Sequence, residues 1–353
     1  MPEYKNQHYV SQLLLKNFAS DKDKKLINIF NRRLGRVLSQ KPIKPQAQED
    51  YFFGKDGDFE KFLGITESRV GPIIDKIIYD AKLPSYGSKS YSFLLHFIML
   101  YHWRTKASVD ETEEHINKIF GEWTKNDPQF KDFHDKGYRI KHPEPAAFNL
   151  ATFMDSWVVT SDLTPYLILN FTEREFALSD NPLVIYNPFM QQRTCYWAAN
   201  SILSKGLTMI FPLTPFHCLL FVDSQFYDVK STADNIIPVE NAGDIDLLNL
   251  LQAISADQNI YFSGQSQADY MSSLTKQGQE SRQNKTITKI VSNPEKEGSY
   301  GQLSYTIRHD IKQYFSFLRE SEVAKKYKVD GVLQHPRNKD IVDWIDKMVH
   351  RHG

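Results

Sequence analysis

Tyr166-Leu167-Ile168-Leu169, Glu175-Phe176-Ala177-Leu178 and Leu183-Val184-Ile185-Tyr186 follow one another within residues 166–186, the last two separated by the polar elbow Ser179-Asp180-Asn181-Pro182. Each run is short, apolar and bounded by turn-forming residues, which predicts strands rather than helix turns. Residues 207–211 and 217–222 repeat the pattern, and Phe211-Pro212-Leu213-Thr214-Pro215 makes a rigid strand exit. The spacing predicts an antiparallel sheet across the middle of the chain.

Upstream the period changes from two to about 3.6. In the segment 58–82, Phe59, Phe62, Ile65, Val70, Ile73, Ile74, Ile77 and Ile78 form one apolar stripe, with a Gly71-Pro72 kink point. Residues 88–106 are apolar on most sides and predict a central helix. Further helices are expected over 8–18, 110–123 and 146–159, with a β-hairpin over 25–40 and a mobile, charged loop over 124–145. Downstream, 244–256 reads as a helix and 259–262 as a closing strand. Residues 264–301 read as a polar linker, and 305–318 and 340–350 as two terminal helices. The fold expected is α+β: an N-terminal helical region with a small hairpin, a central antiparallel sheet and a C-terminal helical tail. Its domains are a main unit over 1–264, with a helical half (1–160) and a sheet half (161–264), and a linker with a small helical tail over 265–353.

The 353 residues are 41% hydrophobic and 13% aromatic, enough for a sizeable core and against extensive disorder. Net charge is zero, so the whole molecule has no bulk attraction to nucleic acid or membrane. The charge is nevertheless segregated: +4 over 1–150, −9 over 151–269 and +5 over 270–353. Basic ends flanking an acidic middle place phosphate-facing surface at either end, or are ordinary solvated surface. Cys195 and Cys218 are the only cysteines, which suits a reduced, cytoplasmic setting. No signal-peptide core opens the chain and no apolar run is long enough to span a bilayer, so no membrane partner is expected.

Candidate chemistry is sparse. His8, in Gln7-His8-Tyr9-Val10, is either a general base near neutral pH or a satisfied structural donor. Glu60 and Glu67 lie seven residues apart, near two helical turns, so they share a face. Together they suit a divalent cation, acid–base work or pairing with a basic neighbour. Arg104 lies beside much buried surface and is expected to pair with Glu67 or Glu60. Asp180 and Asn181 occupy a turn that either bonds to its own backbone or projects a carboxylate into a cleft. There is no Gly-x-Ser-x-Gly, Walker loop, dinucleotide glycine fingerprint or His-Glu-x-x-His, and the other histidines lack ligand spacing.

Taken together, these segments resemble the prokaryotic domain-of-unknown-function family numbered 4238. Gln7-His8-Tyr9-Val10 with Leu15 and Asn17-Phe18 resembles its opening, although Val10-Ser11 stands where the family usually has Val-Pro. Glu60, Glu67, Arg104-Thr105, Ser179-Asp180-Asn181-Pro182, Phe211-Pro212-Leu213-Thr214-Pro215 and the segment from Leu248-Asn249 to Ile260-Tyr261 fit its pattern in order. The resemblance covers about 5–264. It implies an accessory bacterial protein, some relatives lying near mobile or defence genes, and assigns no chemistry.

Two functions fit. In the first, His8, Glu67, Arg104, Asp180 and Asn181 converge as a catalytic set, a hydrolase of the nuclease type cleaving nucleic acid as a defence or toxin effector. His8 would be base or acid, Arg104 would bind phosphate, and Asp180 and Glu67 would orient His8 or hold magnesium or manganese. In the second, the same residues are a buried network inside a non-catalytic binding or sensor module of a defence system. Its tail and the 124–145 loop would contact a protein partner.

Overall fold

The hairpin near the N-terminus starts the architecture. The computed structural model describes residues 5–126, 128–292, 300–329, 336–341 and 343. Strand β1 (Asn6–His8) leads through the Ser11 cap into α1 (Gln12–Lys16), then β2 (Leu26–Asn31), β3 (Arg36–Pro42) and β4 (Gln48–Asp50). Three long helices follow: α2 (Asp58–Asp80), α3 (Lys89–Arg104) and α4 (Lys106–Asn126). Short α5 (Lys131–Asp135) and α6 (Pro145–Phe153) close the helical part. The sheet part runs β5 (Thr164–Asn170), β6 (Leu178–Ser179), β7 (Val184–Tyr186), α7 (Pro188–Gln192), α8 (Tyr196–Ala199), β8 (Thr208–Thr214), β9 (His217–Val222), β10 (Tyr227–Val229), β11 (Ile236–Val239), α9 (Ala242–Ser255) and β12 (Asn259–Phe262). The chain continues through α10 (Ala268–Ser281), β13 (Lys285–Ser292), β14 (Tyr300–Ile307), β15 (Leu318–Glu320) and α11 (Glu322–Lys326).

The strands form several small sheets. Five strands in the order β11-β5-β9-β8-β7 make the largest; its pairs are antiparallel except β11 with β5. A four-stranded antiparallel sheet, β3-β2-β12-β6, joins the N-terminal hairpin to the closing strand. Two-stranded pairs β1–β4, β10–β15 and β13–β14 complete the set. The N-terminal hairpin is therefore part of a sheet that also takes strands from 178–179 and 259–262. Such interleaving requires strands far apart in sequence, which local periodicity cannot display.

Two buried helices tie the layers together. Helix α3 carries nine buried residues, as its near-uniform apolarity predicts, and its Phe97 and Tyr101 rings meet Phe211 of β8 with centroids 6.3 and 5.2 Å apart. Helix α9 is equally sunk. Asn249 Oδ1 accepts the Ala177 N–H at 2.8 Å and Gln252 Oε1 that of Ser179 at 3.0 Å, so buried amides on α9 satisfy the backbone before and within β6.

Several expectations are corrected. The α+β class holds, but not as helices, then a sheet, then a helical tail. The helix expected over 8–18 is confined to Gln12–Lys16, and His8 instead ends β1, whose backbone pairs with 48–50. Within residues 264–301, expected as a polar linker, the described residues include α10 and β13. Residues 305–307 belong to β14, not to a helix over 305–318. The 124–145 loop contains α5, and the central sheet is not wholly antiparallel. The helix expected over 340–350 lies almost entirely outside the described residues. Among those described, no helix is long and apolar enough to cross a membrane.

Candidate functional site

Three of the residues singled out in the sequence come together. Arg104 closes α3 and is 1% exposed. It donates from Nη2 to the His8 carbonyl at 2.7 Å and from Nη1 to Glu67 Oε1 at 3.5 Å, and its guanidinium lies 5.0 Å from the centre of the Tyr101 ring. The Tyr101 hydroxyl in turn accepts the Ser11 N–H at 3.2 Å. Glu60 lies close enough to feel both charges: burial raises its pKa, Arg104 lowers it and Glu67 raises it again. His8 Nε2 sits 3.1 Å from the Lys44 carbonyl, and burial lowers the pKa of its imidazole. This cluster pins β1, α2 and α3 to one another. The buried guanidinium has one ion-pair partner at 3.5 Å and one carbonyl, and its Nε has no partner among the described residues.

Asp180 does not join that cluster; among the described residues no hydrogen bond or ion pair links it to His8, Glu67 or Arg104. Its carboxylate is 2% exposed and accepts three backbone N–H bonds, from Asp257 at 2.7 Å, Gln258 at 2.8 Å and Asn259 at 2.7 Å. It caps the turn from α9 into β12. Burial pushes its pKa up to about 6; the three N–H bonds pull against that rise and the charge of Asp257 adds to it. Asn181 is held at both ends of its amide: Thr105 Oγ1 donates to Oδ1 at 2.8 Å, and Nδ2 donates to Ser255 Oγ at 3.0 Å. The Thr105–Asn181 bond connects the Arg104 end of α3 to the elbow.

Of the five, Asn181 lines an open cleft. This cavity of about 220 Å³ lies between the end of α3, α4, α8 and β14. An adjoining lobe of about 270 Å³ shares Glu111, Asn181, Ser255, Thr306 and Arg308 with it and is also lined by Asp110, Asp257 and Arg282. Glu111 and His115 are four residues apart on one face of α4, with His115 Nε2 4.0 Å from Glu111 Oε1. Arg308 Nη2 reaches Glu111 Oε2 at 2.6 Å, and His115 Nε2 lies 2.8 Å from Thr306 Oγ1. Burial opposes the Glu111 charge, but Arg308 and the two nearby histidines outweigh it and hold the carboxyl below its ordinary value. Burial, aided by Arg308 and opposed by Glu111, pushes His102 down to about 4. His309 is likewise pushed down to about 4 by burial, and its Nδ1 accepts the Ile311 N–H at 3.2 Å, which leaves the proton of the neutral ring on Nε2. The cleft at neutral pH thus holds neutral imidazoles beside one Glu–Arg pair.

Sequence reasoning missed His102, Glu111, His115, Arg308 and His309. The signals available were the Glu111/His115 spacing and the adjacent Arg308-His309 pair, which lacks the separation of paired ribonuclease motifs; nothing in the sequence brings Arg308 to Glu111 from 197 residues away. Among the described residues no three His, Cys, Asp or Glu side chains converge as a metal-holding group. Cys195 and Cys218 are both buried and unbridged, and burial pushes the Cys218 thiol well above its ordinary range.

No curated protein and no solved structure matches the chain. A family profile described as "Protein of unknown function (DUF4238)" matches residues 6–266, which takes in α4 and the elbow but leaves Thr306, Arg308 and His309 outside. With that match spanning most of its length, the chain belongs to the DUF4238 family.

Proposed function

We propose that this protein is a ligand-binding module whose ligand occupies the two-lobed cleft between α4, the Asn181 elbow and β14. One observation carries the reading. The cleft gathers Glu111, His115, Thr306 and Arg308 from segments nearly 200 residues apart into one solvent-reachable network. By contrast, His8, Glu67, Arg104 and Asp180 bond mainly within the fold, although Arg104 Nε has no partner among the described residues. In this reading those four, with Asn181, hold the helical and sheet parts in register, and residues 265–353 supply one wall of the site. Two buried, unbridged cysteines suit a cytoplasmic location.

A second reading, hydrolysis of nucleic acid in a defence role, is favoured by the half-buried, neutral His102 beside Glu111 and Arg308. A neutral imidazole has a nitrogen free to accept a proton, although a pKa of about 4 makes His102 a weak base, and a guanidinium stabilises charge developing on a phosphate. The two readings separate in one experiment. Wild type and Arg308→Met are screened by thermal unfolding against nucleotides, sugar phosphates and amino acids, and assayed for cleavage of labelled RNA and DNA. Binding without turnover, raising the wild-type Tm by roughly 2–5 °C at saturating ligand and lost in Arg308→Met, is the expected result. Cleavage that depends on His102 would replace it with the hydrolase. A ligand that stabilises both proteins equally would place the site elsewhere.

A further inference from the structure

The lobe lined by Trp197 and Asn200 has a chemistry of its own. Its walls include Trp103, Trp197, Leu183, Ile185, Leu251 and Ile254, apolar on most of their surface. Two buried polar atoms of these lining residues lack a partner among the described residues: Nε1 of Trp197, a donor, and Oδ1 of Asn200, an acceptor. The Asn200 amide cannot be turned round to remove the second orphan, because its Nδ2 donates to the Thr306 carbonyl at 2.8 Å and a carbonyl demands a donor. Buried polar atoms left unpaired are costly, and a ligand that pairs them recovers that cost. Apolar walls carrying one donor and one acceptor suit a flat heteroaromatic ring whose edge offers both. A cavity of about 150 Å³ accepts benzene, so about 220 Å³ has room for a single base.

The adjoining lobe is polar. Arg282 lines it, donating from Nη1 to the Ala256 carbonyl at the end of α9 at 2.7 Å, and Arg308 stands where the lobes meet. Asp110, Glu114 and Asp257 line it as well, and Glu111 is paired with Arg308; this much negative charge disfavours a polyphosphate and confines a single phosphate to the two arginines.

We infer that the cleft recognises a nucleobase attached to a single phosphate, the ring lying in the lobe of Trp197 and Asn200 and the phosphate toward Arg282 and Arg308. This rests on the cleft being a ligand site at all. The same chemistry is presented by a free nucleoside monophosphate and by the terminal nucleotide of a single strand.

Titration calorimetry of the full chain distinguishes these sources. The probes are AMP, GMP, CMP, UMP, ribose 5-phosphate, and single-stranded RNA and DNA hexamers. The expected result is that at least one monophosphate binds ten-fold or more tightly than ribose 5-phosphate. Trp197→Phe, which removes the N–H and keeps an aromatic ring, weakens that binding by at least five-fold while unfolding within a few degrees of wild type. Arg282→Met brings the monophosphate down to the affinity of its nucleoside. Binding confined to the hexamers, with the same sensitivity to Trp197→Phe, supports the inference and assigns the source to a strand end. Equal affinity for ribose 5-phosphate and the nucleotides, indifference to Trp197→Phe, or no binding of any base-bearing probe overturns it. If a base-free ligand from the thermal screen binds and is lost in Arg308→Met, the binding module stands and only the base assignment falls.

Discussion

In the proposed reading, Asp180 is a structural residue in a promising sequence context. Three N–H groups of the turn at 257–259 depend on its carboxylate, and among the described residues no other acceptor stands in their place. Asp180→Ala is expected to cost about 3–5 kcal/mol in denaturant unfolding, because the donors stay buried and unpaired. Arg104→Met keeps the volume of the side chain but strands Glu67 and the His8 carbonyl, and should cost about 2–4 kcal/mol by the same measurement. A cost under about 1 kcal/mol for either would refute its structural role.

His309 supplies a pH prediction. Its folded pKa, about 4, lies below the ordinary 6.5, so the unfolded chain binds the proton first and stability falls as pH drops from about 6.5 to about 4. The loss attributable to this residue is on the order of 3 kcal/mol. Asp180 works in the opposite sense: its pKa is raised to about 6, so the folded state takes the proton first and acidification favours it. The His309→Phe variant isolates the histidine contribution. Stability measured from pH 7 to pH 4 should fall less steeply in the variant than in wild type, and parallel curves would show that His309 is not held neutral.

At the scale of elements, helix α10 packs on α9 through Gly278. A Cβ placed there would stand 2.8 Å from the Ala253 Cβ and 3.2 Å from its backbone carbon, neither of which can yield by rotating a side chain. Gly278→Ala should therefore destabilise by about 1–3 kcal/mol, the packing clash outweighing the roughly 1 kcal/mol gain in helix propensity. A stabilised variant would mean the two helices separate freely. Elements with long apolar repeats were legible in the sequence: α2, α3 and α9 follow from their stripes, and β9 from an unbroken apolar run ending in turn residues. Strand β1 was not, because three residues carry no period and its partner lies at 48–50. The hairpin of β13 and β14 was obscured by its polar composition, although Thr286-Ile287-Thr288 and Ile290-Val291 are β-branched. The apolar and aromatic residues at 314–318 imitated a helix where the chain turns into β15.

Across the whole molecule, the cleft exists because distant segments meet. Thr306, Arg308 and His309 come from beyond the family match, while His102, Glu111, His115 and Asn181 come from within it. The tail is fastened on the far side as well, where Arg337 makes two bonds to Asp162 at 2.8 and 3.0 Å and donates to the Val159 and Ser204 carbonyls. A pocket assembled this way leaves only fragments in the sequence, whereas the Ser179-Asp180-Asn181-Pro182 elbow is contiguous and therefore conspicuous. The direct test of which one is functional is a paired measurement of ligand affinity and unfolding midpoint on wild type, Arg308→Met and Asp180→Asn. Arg308→Met should lose binding while keeping most of its stability, and Asp180→Asn should lose stability while keeping its affinity. The reverse pattern, with binding lost at Asp180 and retained at Arg308, would return the site to the elbow.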